Sequence, residues 1–499
     1  MKISDLLYED EYQSDYQAED IDIGGIVTSI SAVTEGALFV CFEENEARAS
    51  LLLEEAKKAG AAAAIVGEYG KTAPLPLFKV KSVRKCYAML WSRKEGKPER
   101  RLRIIGVTGT NGKTSSAAML TAILEGYGCK TACIGTLGCR MGGIQYRAED
   151  EDGEKRLQTM TTPDPDVLYP ILRKMADDGA EYVVMEVSSH ALALEKVAPI
   201  RFLCGIFTNL SPEHLDFHKS MAEYQTAKAK LFSASKLGFL NADDTASIPL
   251  SKSCTYRAYL CGVVQDGDIR AEDVVLQKDS VSYTLVEGDT RLPISVPIPG
   301  GFTVYNSLLA ASCALKLGVC PAVISNALER MRGVCGRMER ITANEDTFSI
   351  FIDYAHTPQA LLSLLREVRR FAPQDGRILL LFGCGGDRDK SKRRAMGEIA
   401  EEYADLSFIT ADNSRSEETE AIIADILSGM TKQEKRRVIP SRRDAIMAAV
   451  ECLQPNDTLL LVGKGHETYE IDKKGRRPFY EKEIVMQALL KKKGCDFSK

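Results

Sequence analysis

The stretch VTGTNGKT, residues 107–114, decides how the rest of the chain is read. It follows an apolar run at 102–107 that reads as a buried strand, and it precedes a helical pattern over 115–124. A glycine-rich turn between strand and helix lets backbone N–H groups approach phosphates, and the helix N-terminus adds partial positive charge. In that setting Gly109, Thr110, Asn111 and Gly112 form the cradle, Lys113 reaches the outer phosphates, and the Thr114 hydroxyl ligates Mg²⁺. The strict G-x-x-x-x-G-K-T pattern has glycine where Val107 stands, so this is a variant loop with Gly106 and Gly109 flanking that position. A tight turn with an incidental lysine is the alternative, and the strand–turn–helix context argues against it.

Working outward, the same alternation recurs. Toward the N-terminus lie a helical pattern at 47–58, Gly60 and a strand-like run at 61–66, then a charged, proline-containing segment at 93–101 that reads as a linker. Toward the C-terminus, strand candidates fall at Tyr182–Glu186 and 203–208. A third stretch begins near 333–337, with strands at 348–353, Ile378–Phe382, 406–410 and Thr458–Val462. Short apolar strands alternating with helices specify an α/β fold with parallel sheets. At 499 residues the chain exceeds one ordinary core, and two to three domains are expected.

Composition removes other classes. The net charge of -5, with lysine and arginine spread along the chain, offers no basic face for nucleic acid. No apolar run reaches the length of a membrane span. The first ten residues, MKISDLLYED, are acidic and lack an apolar signal core, so a cytoplasmic protein is expected. The 14 cysteines are scattered without a C-x-x-C pair and read as small core residues, neither disulfides nor zinc ligands.

The five histidines all fall in polar clusters near strand ends, where ligand sites of open α/β sheets gather. His190 closes EVSSH (186–190), His214 and His218 bound HLDFH, His356 lies in DYAHTP (353–358) and His466 in GKGHE (463–467). Glu186, at the end of its strand, is placed to complete a Mg²⁺ site with Thr114. Lys228 lies in a helical stretch, YQTAKAKLF (224–232), and by itself reads as a solvated helix lysine.

Taken in order, TGTNGKTS, TTPDP, EVSSH, FTNL–EHLDFH, AKAKLF, NADD, GRMER, DYAHTP, FGCGGDRDKSKR, TADNSR and GKGHE resemble the Mur ligases of cell-wall synthesis. The resemblance is dense from about residue 102 to 470, weaker before 100, and nearest to the branch that adds the third residue of the muramyl peptide. It implies three domains: a UDP-substrate domain at 1–100, a central P-loop ATPase domain at 101–333, and a Rossmann-like amino-acid-binding domain at 334–499. It also implies an ATP-dependent amide-bond ligase. A carboxylate, that of UDP-MurNAc-L-Ala-D-Glu, takes the γ-phosphate to become an acyl phosphate, and an amine then displaces phosphate.

The resemblance further implies site roles. Lys113, Lys228, His214 and Arg337 would be catalytic, with Thr114, Glu186, His214 and Lys228 about Mg²⁺ and Lys228 carbamylated by CO₂. Asn306 and Asp353 match positions that hold adenine and ribose. Thr161, Thr162 and Ser188 match contacts to the peptidyl acceptor, and Arg388, Asp412, Asn413, Arg415, Gly463 and Glu467 the amino-acid pocket. Arg415 stands where diaminopimelate-selecting members carry arginine, so meso-diaminopimelate is expected over lysine. The implied partners are small molecules alone, with no nucleic acid or membrane, and the implied state is a monomer.

The chain departs from the family in five places. Ser29-Ile30-Ser31 replaces an Asp-Ser-Arg signature, and EENEAR (43–48) replaces a stretch with glycine, aspartate and histidine; both lie where the uridine should dock. Lys196 replaces an arginine near the acceptor, Thr303 an asparagine near the adenine, and Ser414 the proline of D-N-P-R. A related ligase with another carboxylate acceptor is therefore the first alternative. A non-catalytic nucleotide-binding protein is the second, and it leaves Lys113, Glu186, His214, Lys228 and Arg388 together without a purpose.

Overall fold

The computed structural model describes residues 1–16, 18, 21–68, 75–147, 160–343 and 346–493. It divides into two compact units, Met1–Lys113 with Leu124–Leu260, and Thr114–Ile123 with the chain from Cys261 onward. No helix among the described residues is long and apolar enough to cross a membrane.

The first unit opens with a small parallel sheet in the order β1 (Ile26–Val27), β2 (Leu38–Val40), β3 (Ala63–Val66), β4 (Leu77–Lys79). β2 and β3 are buried throughout, as expected of strands covered on both faces. The helix Glu46–Lys58 starts where the Asn45 side chain accepts from Arg48 N, and it packs Ala49, Leu53 and Ala56 inward, one stripe at helical spacing. The segment expected as a linker is instead fastened down. It holds the end of the helix Val83–Lys94 and a single turn, Pro98–Arg100, with Pro98 and Glu99 buried. Arg93 there makes a two-pronged ion pair with Glu11 at 2.5 Å, so burial and pairing override its polar composition.

The larger sheet of this unit contains β5 (Arg103–Thr108), β6 (Thr131–Gly135), β7 (Gly138–Met141), β8 (Ile144–Tyr146), β9 (Tyr182–Glu186), β10 (Phe202–Phe207) and β11 (Ser235–Asn241), in the order β11-β10-β5-β9-β6-β7-β8. The strands are parallel up to β6, and the β7–β8 hairpin adds an antiparallel edge. Gly106 of β5 pairs with Gly205 of β10, leaving a shallow groove in the sheet. A Cβ on Gly106 would meet Leu231 at 2.6 Å, and one on Gly205 would meet Phe232 at 3.2 Å. The groove thus lets the helix Met221–Ser233 settle close on the sheet, which buries Lys228 on its inner face.

In the second unit, the end of β12 (Arg257–Gly262) pairs with β13 (Ile269–Leu276), which continues as an antiparallel meander through β14 (Val281–Glu287) and β15 (Thr290–Val296). The helix Gly301–Lys316 is buried along almost its whole length. Beyond it, β16 (Glu339–Arg340), β17 (Ser349–Asp353), β18 (Ile378–Phe382), β19 (Leu406–Ile409), β20 (Arg436–Val438) and β21 (Thr458–Val462) form a sheet in the order β16-β17-β21-β18-β19-β20, parallel except for β16. All five residues of β18, ILLLF, are fully buried, each side chain contributing about 1.5–3 kcal/mol. The loops at 353–357, 383–390, 410–418 and 463–468 leave the carboxyl ends of these strands, where such sheets bind ligands. Most of the 13 described cysteines are buried, as small core residues are.

Candidate active site

At the end of β5 the chain turns through Gly109 (φ 150°) and Gly112 (φ 84°) into the helix Lys113–Gly126. A side chain at Gly109 would collide with Thr208 Oγ1 at 1.9 Å, so the loop lies against the end of β10. Residues there hold its shape: Thr110 N donates to Asn209 O (2.8 Å), Asn111 N to Asn209 Oδ1 (2.9 Å), and Thr208 Oγ1 to Asn111 O (2.5 Å). Lys113 Nζ folds back onto Gly109 O (2.9 Å) and Thr110 O (2.8 Å), which centres its charge on the loop. Amide donors, a helix N-terminus and a centred ammonium make an anion site for a polyphosphate.

Glu186 pairs in register with Val107 across β9 and β5 and is 1 % exposed. Its Oε1 accepts from Thr136 N at 2.8 Å and its Oε2 from Thr136 Oγ1 at 3.1 Å. Thr136 Oγ1 lies 3.2 Å from Thr161 Oγ1, Thr162 Oγ1 donates to Glu186 O (2.9 Å), and Ser188 N donates to Thr162 Oγ1 (2.9 Å). Thr161, Thr162, Ser188 and Glu186 therefore form one polar cluster. Thr136 is its keystone, and sequence reasoning passed over it because a lone threonine after a strand carries no signal.

Lys228 is 1 % exposed and forms no hydrogen bond or ion pair among the described residues. Its Nζ stands over the Tyr224 ring at 4.5 Å. Burial, and after it the Lys113 charge, hold its pKa well below that of an ordinary lysine. His214 adopts a left-handed conformation (φ 56°), with Nε2 3.8 Å from Glu213. Its ring lies 4.8 Å from that of His190, and His218 Nε2 is 2.9 Å from Ser189 Oγ. Burial, with the His214 and His218 charges, pushes His190 down to about 4, so it is neutral at physiological pH. Lys196 pairs with Asp164 at 2.7 Å.

In the second unit, Arg337 Nη2 donates to Thr114 Oγ1 (3.3 Å), and its guanidinium stacks over Tyr354 at 4.6 Å. Asp353 accepts from Met338 N and Ala355 N, both at 2.8 Å; burial raises its pKa and Arg337 opposes that. Asn306 is buried and accepts from Ser116 Oγ at 3.3 Å. Thr303 turns inward, donating to Pro299 O at 3.2 Å.

Of the residues expected to form an amino-acid pocket, Asp412, Asn413 and Glu467 meet around a buried lysine, Lys464, that the sequence reading missed. Lys464 Nζ donates to Asn413 Oδ1 (3.1 Å) and Tyr469 O (3.0 Å) and lies 3.4 Å from Asp412. With its oxygen so engaged, Asn413 turns Nδ2 to Glu467 Oε2 at 2.7 Å. Burial raises the Glu467 pKa, and Asp412 adds to the rise. Gly463 (φ 106°) adjoins Asp412. Arg415 (φ 51°) spends Nη1 on Gly386 O (2.8 Å) and Asn413 O, which leaves its Nε and Nη2 without hydrogen bonds among the described residues. Arg388 is exposed and forms no hydrogen bond among the described residues.

The buried Glu186 carboxylate and the phosphate cradle at residues 109–113 suit Mg²⁺, which is usually held by one or two carboxylates together with substrate phosphates. Among the described residues no three His, Cys, Asp or Glu side chains converge as a ready-made metal cage.

The family description "Mur ligase middle domain" matches residues 107–314, and "Mur ligase, glutamate ligase domain" matches residues 336–465. The chain is 38% identical over 497 residues to the UDP-N-acetylmuramoyl-L-alanyl-D-glutamate--2,6-diaminopimelate ligase of Clostridioides difficile (strain 630), covering 98% of this chain and 100% of the relative. It is 37% identical over 478 residues to the protein of that name from Syntrophomonas wolfei, covering 94% and 95%. A solved structure titled with the same ligase name superimposes with a TM-score of 0.68 at 26% identity, over 98% of both chains. Full-length identity at this level, carried through both family domains, makes the chain a member of the Mur ligase family.

Proposed function

We propose that the protein is an ATP-dependent ligase that joins meso-diaminopimelate to the D-glutamate carboxylate of UDP-MurNAc-L-Ala-D-Glu, in peptidoglycan precursor synthesis. The observation that carries this reading is the buried Lys228 amine, which forms no hydrogen bond or ion pair among the described residues and feels the charge of Lys113 in the phosphate loop. A plain nucleotide-binding module has no use for a buried amine whose charged form is disfavoured by burial and by a neighbouring ammonium. Similarity to diaminopimelate ligases along the whole chain supports the same substrates.

In this mechanism the loop amides and Lys113 bind the ATP phosphates, and Arg337 steadies the transferring group. Thr161, Thr162 and Ser188 orient the acceptor carboxylate in line with it, which turns a bimolecular encounter into a positioned one. Mg²⁺, held by Thr114, Glu186 and His214, would neutralise the charge that develops on the phosphate oxygens. The neutral Lys228 amine adds CO₂, forming an N–C bond and releasing one proton, and so becomes an anionic group for the metal site. Asn306 and Asp353 take the adenosine.

Glu467 anchors an ammonium of the amino acid, while Arg388, Asp412, Asn413 and Gly463 shape its pocket. The Nε–Nη2 edge of Arg415 takes the distal carboxylate of diaminopimelate as a bidentate pair. Domains at 1–100, 101–333 and 334–499 divide these tasks.

The test is ligation with UDP-MurNAc-L-Ala-D-Glu, ATP and equal concentrations of meso-diaminopimelate and lysine, read by mass, with Arg415→Ala in parallel. Diaminopimelate is expected to win, and the variant to lose that preference. A preference for lysine in the unchanged protein refutes the specificity. The second reading, a different carboxylate acceptor, rests on Ser29–Ser31, where the two serine hydroxyls bond each other at the surface in place of a charged pair. Absence of UDP-MurNAc-dipeptide binding would put it first.

A further inference from the structure

Two loops of the second unit each carry a non-glycine residue in the left-handed region, Asp387 (φ 52°) and Arg415 (φ 51°). Such conformations persist only where their surroundings over-determine them. Here the loops hold each other. Gly386 N donates to Asn413 O (2.9 Å), Arg415 Nη1 to Gly386 O (2.8 Å), and Ser416 N and Oγ to the Asp387 carboxylate (3.1 and 2.6 Å). The approach is so close that a Cβ on Gly386 would lie 1.9 Å from Ser414 O.

Glu417 sits at the centre of these ties. Its Oε1 accepts from Asp387 N at 2.7 Å. Both its oxygens also take the two prongs of Arg393, at 2.8 and 3.0 Å. Arg393 is fully buried and reaches Gly385 O at 3.3 Å with the same guanidinium. One carboxylate thus bridges the main chain of the loop bearing Arg388 to the loop bearing Asn413 and Arg415. The Arg393 guanidinium holds Glu417 ionised, with its pKa down at about 2, so the bridge persists across the working pH range.

We propose that Glu417, oriented by Arg393, is a positioning residue that sets the geometry of the amino-acid pocket and thereby its discrimination between diamino acids. The inference rests on the reading of these loops as the diamino-acid pocket. Without the bridge, Asp387 and Arg415 relax to ordinary backbone conformations, and the fork that meets the distal carboxylate is lost.

The experiment is steady-state kinetics on the full chain with meso-diaminopimelate, L-lysine and ATP varied in turn, for Glu417→Gln, Arg393→Lys and Asp425→Asn. Acyl phosphate is trapped with hydroxylamine in the absence of amine. Asp425, on the helix Thr419–Leu427, also pairs with Arg393 (2.8 Å) but bonds neither loop, so it controls for loss of charge around the arginine.

In Glu417→Gln the KM for diaminopimelate is expected to rise about tenfold or more and the preference over lysine to narrow, with the KM for ATP and the trapped acyl phosphate unchanged. Arg393→Lys is expected to follow, and Asp425→Asn to match the unchanged protein. A folded Glu417→Gln with an unaltered KM for diaminopimelate overturns the proposal. So does an equal rise in Asp425→Asn, or a loss confined to kcat and melting temperature. If the unchanged protein ligates neither diamino acid, the reading of the pocket fails and takes the proposal with it; if it ligates them and the variants do the same, the proposal alone fails.

Discussion

Glu186 depends on the absence of a side chain at Gly135. A Cβ there would lie 2.1 Å from Glu186 Oε1, 2.7 Å from Cδ and 2.8 Å from Cγ. Gly135 is not among the glycines with positive φ, so Gly135→Ala meets no backbone strain and acts through the carboxylate. To regain ordinary contact the carboxylate must retreat by roughly 1 Å, a displacement that costs a catalytic group about 10²-fold in rate, or about 2.7 kcal/mol. It also gives up the two Thr136 hydrogen bonds at 2.8 and 3.1 Å. The assay is ADP release coupled to a spectrophotometric reporter, with Mg²⁺ titrated. We expect a drop of about 10²-fold in kcat/KM and a higher Mg²⁺ requirement, with an unchanged circular dichroism spectrum. A folded Gly135→Ala variant with the original rate and the original Mg²⁺ dependence would refute the role given to Glu186.

Lys228→Ala should abolish turnover, and a short carboxylic acid in solution should restore part of it; full activity without rescue ends the carbamate reading, as does the absence of a carbamate signal in ¹³C NMR under ¹³CO₂. Arg442 is 1 % exposed and binds Glu481 Oε1 at 2.7 Å, so Arg442→Met leaves a buried carboxylate uncompensated and should destabilise its unit by about 3–5 kcal/mol in calorimetry. Removing both charges, as Arg442→Met with Glu481→Leu, should recover most of that loss. Burial, with Arg337 nearby, holds His466 at about 4, below the ordinary histidine value. Between about 4 and 6.5 the unfolded chain binds a proton there that the folded chain does not. Stability from this group is therefore complete above pH about 6.5 and lost as pH falls toward 4, and His466→Phe should flatten the melting temperature over that window.

The parallel strands were legible because each is a short apolar run between polar segments: Tyr182–Glu186, Ile378–Phe382 and Thr458–Val462 fall where the pattern places them. The meander of β13 to β15 was not read, since its alternating exposure mixes charged and apolar residues without a turn signal as sharp as that at residues 109–112. Lys228 illustrates a deeper limit. Its local sequence is that of a solvated helix, and its burial comes from the registered pair Gly106–Gly205, more than 20 residues earlier at the nearest. Arg393 is similar: within DRDKSKRR it looks like one of many surface charges, yet it is fully buried because its partner Glu417 arrives on the next strand's loop. The motif residues themselves were readable, whereas Thr136, Lys464 and Arg393, which hold them in place, act across the fold and leave no mark on neighbouring sequence.

The mutual ties between the loops at 383–390 and 410–418 also bear on redesign. Residues joined in one hydrogen-bond network do not respond additively to substitution. Because Gly386, Asp387, Asn413, Arg415 and Ser416 each complete a bond begun on the opposite loop, a library that varies one loop while holding the other will mostly sample broken pairings. New amine preferences are more accessible to paired libraries, in which residues 385–388 and 413–417 change together and inherit each other's backbone as a unit.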